Sequence, residues 1–271
     1  MEGAYDFSGF LTIMAIAGGV MVVAGFLYRA RQRLLVIGVQ QAAVQIEGLL
    51  LRLADPAPHD VLVHAADDGR HDERWRADVR ARTDDAVALG FVVLGDFEDR
   101  SLHKAMPEQA LPIVRALRSD NGEIVLGITG REHQGAVVIT VELGSEVRAA
   151  QNEDDVRFVE TMAMGDMPML GQGPRIDLEK LPSQTSISEL VARQQTRIAA
   201  ERAVAVLVPA LTVDDVIQRY HRRVALTAAH RASLSALITH DELSALGGAE
   251  PAVIDMVYAE LVRRAADRRS R

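Results

Sequence analysis

The longest hydrophobic stretch of the chain runs from Phe7 to Tyr28 and contains no charged residue. As an α-helix, about 22 residues rise about 33 Å, enough to cross a hydrocarbon core about 30 Å thick. A buried core helix is the alternative, although such helices rarely continue this far without a charge. The pattern predicts a transmembrane helix at 7–28 that follows a short N-terminal segment, 1–6.

The charges on the two sides of this stretch predict its orientation. Glu2 and Asp6 precede it, and Arg29, Arg31 and Arg33 follow it. A cleavable secretory signal carries its basic residues before the apolar region, so this arrangement favours an uncleaved anchor. Basic residues beside a membrane crossing stay on the cytoplasmic side. We expect a single-pass protein of the cell (inner) membrane, with its N-terminus outside and its C-terminal part in the cytoplasm; the reversed topology is the alternative.

Apolar residues continue after the anchor with helical spacing and predict a helical stalk at 29–54. Their alternating steps of four and three residues are the seam spacing of a coiled coil, and the same register reaches back to two glycines of the anchor. Small residues at such a seam let transmembrane helices approach closely. The predicted seam consists of Gly18, Gly25, Leu35, Val39, Ala42, Ile46, Leu49 and Leu53. It predicts self-association; packing on the chain's own domain, or flat on the membrane, is the alternative.

A polar segment interrupted by prolines, 55–73, follows the stalk and is predicted to be a linker. The next pattern is helical from Glu73 to Leu89. Gly90 closes this predicted helix, because glycine adopts the left-handed backbone at a helix C-terminus without steric cost.

The spacing of apolar residues then changes to the period of a strand. Between 136 and 143 apolar residues alternate with Thr140 and Glu142, the pattern of a half-buried strand. Asn121 and Gly122 lie between two apolar runs, which predicts a hairpin. Consecutive strands with short connections favour an antiparallel meander, because parallel neighbours need a longer crossover.

From Ser186 onward the pattern is helical. Ser186 and Thr239 are each followed three residues later by a glutamate, the spacing of a capping box, and Thr212 has a weaker form with an aspartate. The predicted fold class is α+β: a single N-terminal transmembrane helix and helical stalk, then an antiparallel meander sheet with C-terminal helices. The sheet and the later helices are predicted to form a cytoplasmic domain at 74–271.

Composition excludes several classes of function. The chain has 38 acidic and 30 basic residues and a net charge of −8, with arginines concentrated near the anchor and at the C-terminal end. Nucleic-acid binding needs a concentrated basic face, so no nucleic-acid partner is expected. The basic ends suit an anionic lipid leaflet instead. The chain has no cysteine, which excludes disulfides, thiolate metal ligands and cysteine nucleophiles.

A group of methionines is the first candidate for chemistry. Thioethers suit copper(I) and make adaptable partner surfaces, but they also fill irregular gaps in a core. The group consists of Met162, Met164, Met167 and Met169. Packing in the core is the ordinary role of such residues, and a partner surface is the functional alternative.

Charged residues after the first predicted strand form the second candidate: Asp96, Glu98, Asp99 and His103. They could meet as acid and base groups, although such residues ordinarily mark a solvated loop. The histidines lack the spacing of a metal site, and no phosphate-binding or nucleophile motif occurs. No metal, cofactor or catalytic residue is predicted.

These patterns predict a membrane-anchored cytoplasmic interaction or scaffold module that is not catalytic and that binds a protein partner or itself through its stalk. The alternatives are a membrane-tethered enzyme with a site near Asp96–His103, and a ligand or metal sensor that uses the Met162–Met169 loop. A concave pocket around the acidic cluster would favour the enzyme, and a paired stalk would favour the module.

Overall fold

The chain is described by a computed structural model. It covers residues 35–55, 57, 59–64, 73–100, 113–133, 136–164, 170–246 and 249–270. The predicted anchor, its three flanking arginines and the two seam glycines lie outside these residues. Among the described helices, none is long and apolar enough to cross a bilayer.

The described residues form helices and strands in the following order. The helices are α1 (Leu35–Leu53), α2 (Glu73–Ala88), α3 (Ile187–Glu201), α4 (Val213–Ser233), α5 (His240–Leu246) and α6 (Pro251–Arg269). The strands are β1 (Val61–His64), β2 (Val92–Asp99), β3 (Val114–Arg118), β4 (Val125–His133), β5 (Ala136–Ala149), β6 (Asn152–Ala163), β7 (Ile176–Leu181) and β8 (Ala205–Val208).

These elements belong to two compact units. The first contains all the strands, α2, α3 and the part of α4 up to Val224. The second contains α1, residues 170–173, the part of α4 from Ala225, α5 and α6. Helices from both ends of the described chain thus share the second unit, and the predicted cytoplasmic domain at 74–271 stays a prediction.

The first unit is built on one sheet of eight strands. Strands β1 to β7 lie side by side in chain order, and β8 pairs with β5. The α+β class is confirmed, but the purely antiparallel meander is wrong, because β6 and β7 run parallel. Their connection, from Ala163 to Ile176, is about a dozen residues, the length that a parallel pairing requires.

Strand β8 is a second difference, since it lies between helices where only helices were expected. The pairing of β4 with β5 ends at Gly144, which leaves the rest of that edge of β5 open. Residues 205–208 fill it by pairing with 146–149. Strand β1 also falls in the predicted linker, where it pairs with β2.

Helices pack on both faces of the sheet. On one face α2 and α3 contribute Val79, Leu190 and Ile198 to a core that contains Leu126 and Leu143 of the sheet. The opposite face is covered by the first part of α4. Residues 140–147 of β5 are therefore buried on both faces, which differs from the half-buried pattern that the sequence predicts for this strand.

On that opposite face, α4 contributes Val216, Tyr220 and Val224 to a second core. The sheet residues in contact with them include Phe97 and Val125. Adjacent strand residues such as Val125 and Leu126 thus belong to different cores, as a side-chain period of two requires.

The locally encoded features agree with the sequence. Helix α2 ends beside Gly90, which has a φ of +89°, and the β3–β4 turn contains Gly122 with a φ of +70°. The hydroxyl of Ser186 accepts from the N–H of Glu189 at 3.2 Å, and Thr239 makes the same bond to Glu242. These predicted turn and cap residues are confirmed.

In the second unit, α1 packs against α6. Val39, Ala42 and Ile46 of α1 are buried, as are Val257 and Leu261 of α6. Burial of aliphatic side chains on both helices makes this contact the core of the unit.

Candidate functional site

Buried carboxylates distinguish the central strands of the first unit. Glu142 and Glu146 lie on the same face of β5, and their side chains are 2% and 0% exposed. Glu160 of β6 is also fully buried, and it pairs in register with Gly144, between the other two glutamates. Three acidic side chains therefore share one face of the sheet without access to water.

Helix α4 supplies the opposite charge. Arg219, Arg222 and Arg223 are separated by three or four residues or lie next to each other, so they occupy one side of the helix. Both Nε and Nη2 of Arg223 donate to the carboxylate of Glu160, with Nη2 at 2.7 Å. The same Nη2 lies 3.9 Å from Glu142. The pair of Arg223 with Glu160, in which two N–H groups donate to the two oxygens of one carboxylate, has the strongest geometry for an arginine–carboxylate contact.

Glu146 is shared by several arginines. Its Oε1 accepts from Nε and Nη2 of Arg148 at 3.2 and 3.0 Å. Its Oε2 accepts from Nε and Nη2 of Arg222 at 3.1 and 2.6 Å. Nε of Arg219 is 3.8 Å from the same oxygen, and Arg219 also donates to the carbonyl of Val208. One carboxylate thus holds three guanidinium groups together.

We call these seven residues the ionic network: Glu142, Glu146, Glu160, Arg148, Arg219, Arg222 and Arg223. Burying a charge costs several kcal/mol, and the partner repays this only when the geometry is good. The network therefore specifies how the first part of α4 lies on the sheet, because a different placement would leave charges buried without partners.

A neutral polar cluster lies on the other face of the same strands. Gln194 of α3 is fully buried; its amide donates to Ser145 Oγ at 3.0 Å and to the carbonyl of Val159 at 2.9 Å. Its Oε1 accepts from Thr161 at 2.8 Å. Because all of these groups form hydrogen bonds, the cluster orients α3 without the cost of an unsatisfied amide.

The acidic candidate cluster is divided between different partners. Asp96 is fully buried and accepts from Nε and Nη2 of Arg115 at 2.9 and 3.1 Å. Glu98 is 3.1 Å from Nε2 of His64. The side chain of Asp99 and all of His103 lie outside what the structure describes. The two described carboxylates hold neighbouring strands together, and an enzymatic role for them stays a prediction.

Two of the candidate methionines are core residues. Met162 and Met164 are 1% and 3% exposed. Met167 and Met169 lie outside the described residues, so the predicted partner surface at Met162–Met169 stays a prediction.

The stalk helix α1 has two different faces. Val39, Ala42 and Ile46 of the predicted seam are buried within the chain, and Leu49 and Leu53 are half-buried. The side chain of Leu35 is outside the described set. These contacts agree with the alternative that the helix packs on its own chain, and pairing through this seam stays a prediction.

The outer face of α1 carries exposed aliphatic side chains. Val44 and Leu51 are 47% and 45% exposed, and a methyl group added at Gly48, between them, would meet no heavy atom within 4 Å. A groove of about 730 Å³ runs between α1 and α6 on this side. It is lined by Gln40, Gln41, Val44, Gln45, Glu260, Arg263 and Arg264.

The second unit has a buried ion pair of its own. Arg231 is fully buried and donates to both oxygens of Glu242, at 2.8 and 2.6 Å. Burial alone would raise the pKa of Glu242, but the hydrogen bonds from Arg231 and from the N–H groups of Thr239 and Gly171 outweigh it and lower the pKa. Glu242 is therefore ionised and joins α4, α5 and residues 170–173 within this unit.

No protein-family model matches the chain, and neither a curated protein nor a solved structure matches it. Among the described residues, no group of three or more histidine, aspartate and glutamate side chains could hold a metal ion.

The sequence interpretation missed the ionic network. The alternation of Thr140, Glu142 and Glu146 along β5 is ordinary for a strand with one solvated face. The sequence pattern that could have indicated the network is on α4, where three arginines occupy one side of a helix that also carries apolar residues. Only the pairing of that helix with a sheet reveals that acidic strand positions are its partners.

Proposed function

We propose that the chain is a membrane-anchored interaction module that pairs with a second copy through the outer face of α1. Segment 7–28 crosses the membrane, and Arg29, Arg31 and Arg33 keep the two units in the cytoplasm. The pairing organises two copies of each unit beside the membrane, which is the arrangement of a scaffold.

The exposed aliphatic pair Val44 and Leu51 is the observation that carries this proposal. The two residues are one heptad apart, so they lie on the same stripe of the helix. Ile46 lies on the buried side of α1, and α1 packs on α6, whereas Val44 and Leu51 are aliphatic side chains on the solvent side of the same helix. Covering that solvent side with another helix would remove both side chains from water.

A second copy is the occupant that suits this face. Helix α1 begins at Leu35, a few residues after the predicted anchor ends at Tyr28. Two copies in one membrane would present their α1 helices side by side and parallel, at a high effective concentration. If a two-fold axis runs parallel to the two α1 helices, each residue of the stripe that contains Val44 and Leu51 lies near the same residue of the second copy.

The residues along the stripe fit such an axis. Gly48 gives room for close approach of two helix backbones. Gln41, one turn before Val44, carries a side-chain amide that can both donate to and accept from its equivalent. A single polar pair inside an apolar seam fixes the register of two helices.

The buried carboxylates support a module more than an enzyme. Glu146 and Glu160 direct their oxygens to arginines of their own fold, and Asp96 does the same with Arg115. These carboxylate oxygens are therefore engaged in ion pairs within the fold. Among the residues that the structure describes, no comparable geometry favours the enzyme or the sensor alternative.

Co-purification of two differently tagged copies from detergent-solubilised membranes tests the pairing. Val44→Glu should abolish most of the co-purification, because it places two like charges at the centre of the seam. The matched control is Val87→Glu on α2, since Val87 is also 47% exposed. Equal co-purification of the unsubstituted chain, Val44→Glu and Val87→Glu would refute pairing through this face.

A further inference from the structure

We propose that Arg148 and Arg222, held together by Glu146, form a binding site for a phosphate group. This inference concerns the first unit and goes beyond the pairing of α1. Both arginine side chains are 33% exposed, whereas the carboxylate that joins them is completely buried. The carboxylate is thus the floor of a positively charged patch that faces solvent.

The two guanidinium groups retain hydrogen-bonding capacity. Each uses Nε and Nη2 to bind Glu146. Within the part of the chain that the structure describes, Nη1 of Arg148 and of Arg222 donates to no protein acceptor. An arginine has five N–H donors in a planar fork, so each side chain can still bind an oxyanion in a fixed direction.

The ionic network has an excess of one positive charge, four arginines against three glutamates, although the chain is acidic. Three of these arginines, Arg148, Arg219 and Arg222, surround the carboxylate of Glu146. An anion that reaches this patch gains the attraction of charges that the carboxylate does not neutralise. The two-point contacts with Glu146 also fix both exposed side chains before an anion arrives, which lowers the entropic cost of binding.

Phosphate fits two guanidinium groups better than a carboxylate does. A terminal phosphate presents three oxygens in a tetrahedral arrangement and can accept from two forks at once. A carboxylate has only two oxygens, in one plane, and a single negative charge, so it offers fewer acceptors and less charge to two guanidinium groups. Two adjacent arginines held by the same buried carboxylate therefore favour binding of phosphate over binding of a carboxylate ligand.

An apolar side chain borders the patch. Val206 of β8 is the register partner of Arg148, so the two side chains lie on the same face of the sheet, and Val206 is 58% exposed. The phosphate can be free in solution, or it can be the headgroup of a lipid whose apolar part contacts Val206. Both sources use the same arginine chemistry.

Isothermal titration of the full-length protein in uncharged detergent tests the site. The ligands are inorganic phosphate, dihexanoyl phosphatidic acid below its micellar concentration, and acetate. We expect saturable binding of one phosphate group per chain, with much weaker binding of acetate. Arg148→Gln and Arg222→Gln should each weaken the binding about tenfold or more, the effect of removing one charge-assisted hydrogen bond.

The controls separate binding from folding. Arg157→Gln is the matched control variant. Arg157 is 39% exposed and forms an ion pair with Glu201. It is the register partner of Val147, so it lies on the face of the sheet opposite to Arg148. The Arg157→Gln variant should bind phosphate like the unsubstituted chain. Arg222→Lys keeps the charge beside Glu146 but loses the planar fork, so a folded Arg222→Lys protein should also bind more weakly.

Each outcome decides the proposal. Binding of inorganic phosphate, with or without binding of the lipid, and loss of it in the Arg148 and Arg222 variants supports a site open to free phosphate. Binding of the lipid alone, with the same loss, supports a headgroup site. No saturable binding of either ligand, equal affinity for acetate, or unchanged affinity in the folded Arg148 and Arg222 variants overturns it.

Discussion

Single residues of the first unit are held in place by charge. Glu160 and Arg223 are both buried, and they reach each other from a strand and a helix that are about 60 residues apart in the chain. A pair of this kind adds less stability than its Coulomb attraction implies, because both ions lose their hydration. Its main effect is that only one placement of α4 on the sheet satisfies both partners.

Removal of one partner should therefore be far more costly than removal of both. Glu160→Gln leaves the charge of Arg223 buried without its main carboxylate, and we expect a loss of about 3–5 kcal/mol in the free energy of unfolding. The double replacement of both residues by leucine should cost less than the sum of the single replacements. Urea unfolding of the full-length protein, followed by the fluorescence of Trp75, measures this in the first unit.

Asp177→Asn is the control for this series. Asp177 is 71% exposed and pairs with Arg197 at 2.7 Å, and exposed pairs contribute little because water and salt screen them. A Glu160→Gln variant as stable as Asp177→Asn would contradict the structural role of the buried pair.

In the first unit, helix α2 lies close to strand β4 because a large residue of the helix packs on a glycine of the strand. Helix α2 places the indole of Trp75 over Gly130 of β4, where a Cβ atom would overlap the ring. Trp75 is also in contact with the core on that face of the sheet. Gly130 thus permits α2 to lie directly on the strand.

Gly130→Ala should displace α2 from the sheet. The added methyl group forces Trp75 to move, so we expect a shift in its emission and a loss of about 1–3 kcal/mol in stability, as for other overpacked sites. The chain has one tryptophan, so the emission reports this contact alone. Gly48→Ala, whose methyl group meets no heavy atom within 4 Å, should leave the emission unchanged. An unchanged spectrum for Gly130→Ala would show that α2 does not approach β4 this closely.

Elements differ in how far the sequence predicts them. The cap at Ser186 and the turn at Gly122 depend on residues a few positions apart, so local patterns are sufficient. The parallel pairing of β7 and the position of β8 depend on which strand edge is open after the others have paired. The half-buried pattern around Glu142 does not reveal that this side chain is buried, because its partner Arg223 is about 80 residues away in the chain.

The whole molecule combines an anchor inferred from sequence with two units described by structure. The charge distribution around segment 7–28 predicts the side of the membrane on which these units lie. A reporter fused after Arg271 should be active only as a cytoplasmic reporter. Replacement of Arg29, Arg31 and Arg33 by glutamate should weaken this preference. Activity of the reporter on the outer side in the unsubstituted chain would contradict the predicted orientation.

Disulfide cross-linking in native membranes tests the central proposal most directly, because the chain has no cysteine of its own. If two copies pair through the outer face of α1, Val44→Cys and Leu51→Cys should form covalent dimers on mild oxidation. Ile46→Cys, on the buried face, and Val87→Cys, on α2 with the same exposure as Val44, should not. Cross-linking at Ile46 in preference to Val44 would favour the seam predicted from sequence. Equal cross-linking at Val44 and Val87, or none at Val44 and Leu51, would contradict pairing through this face.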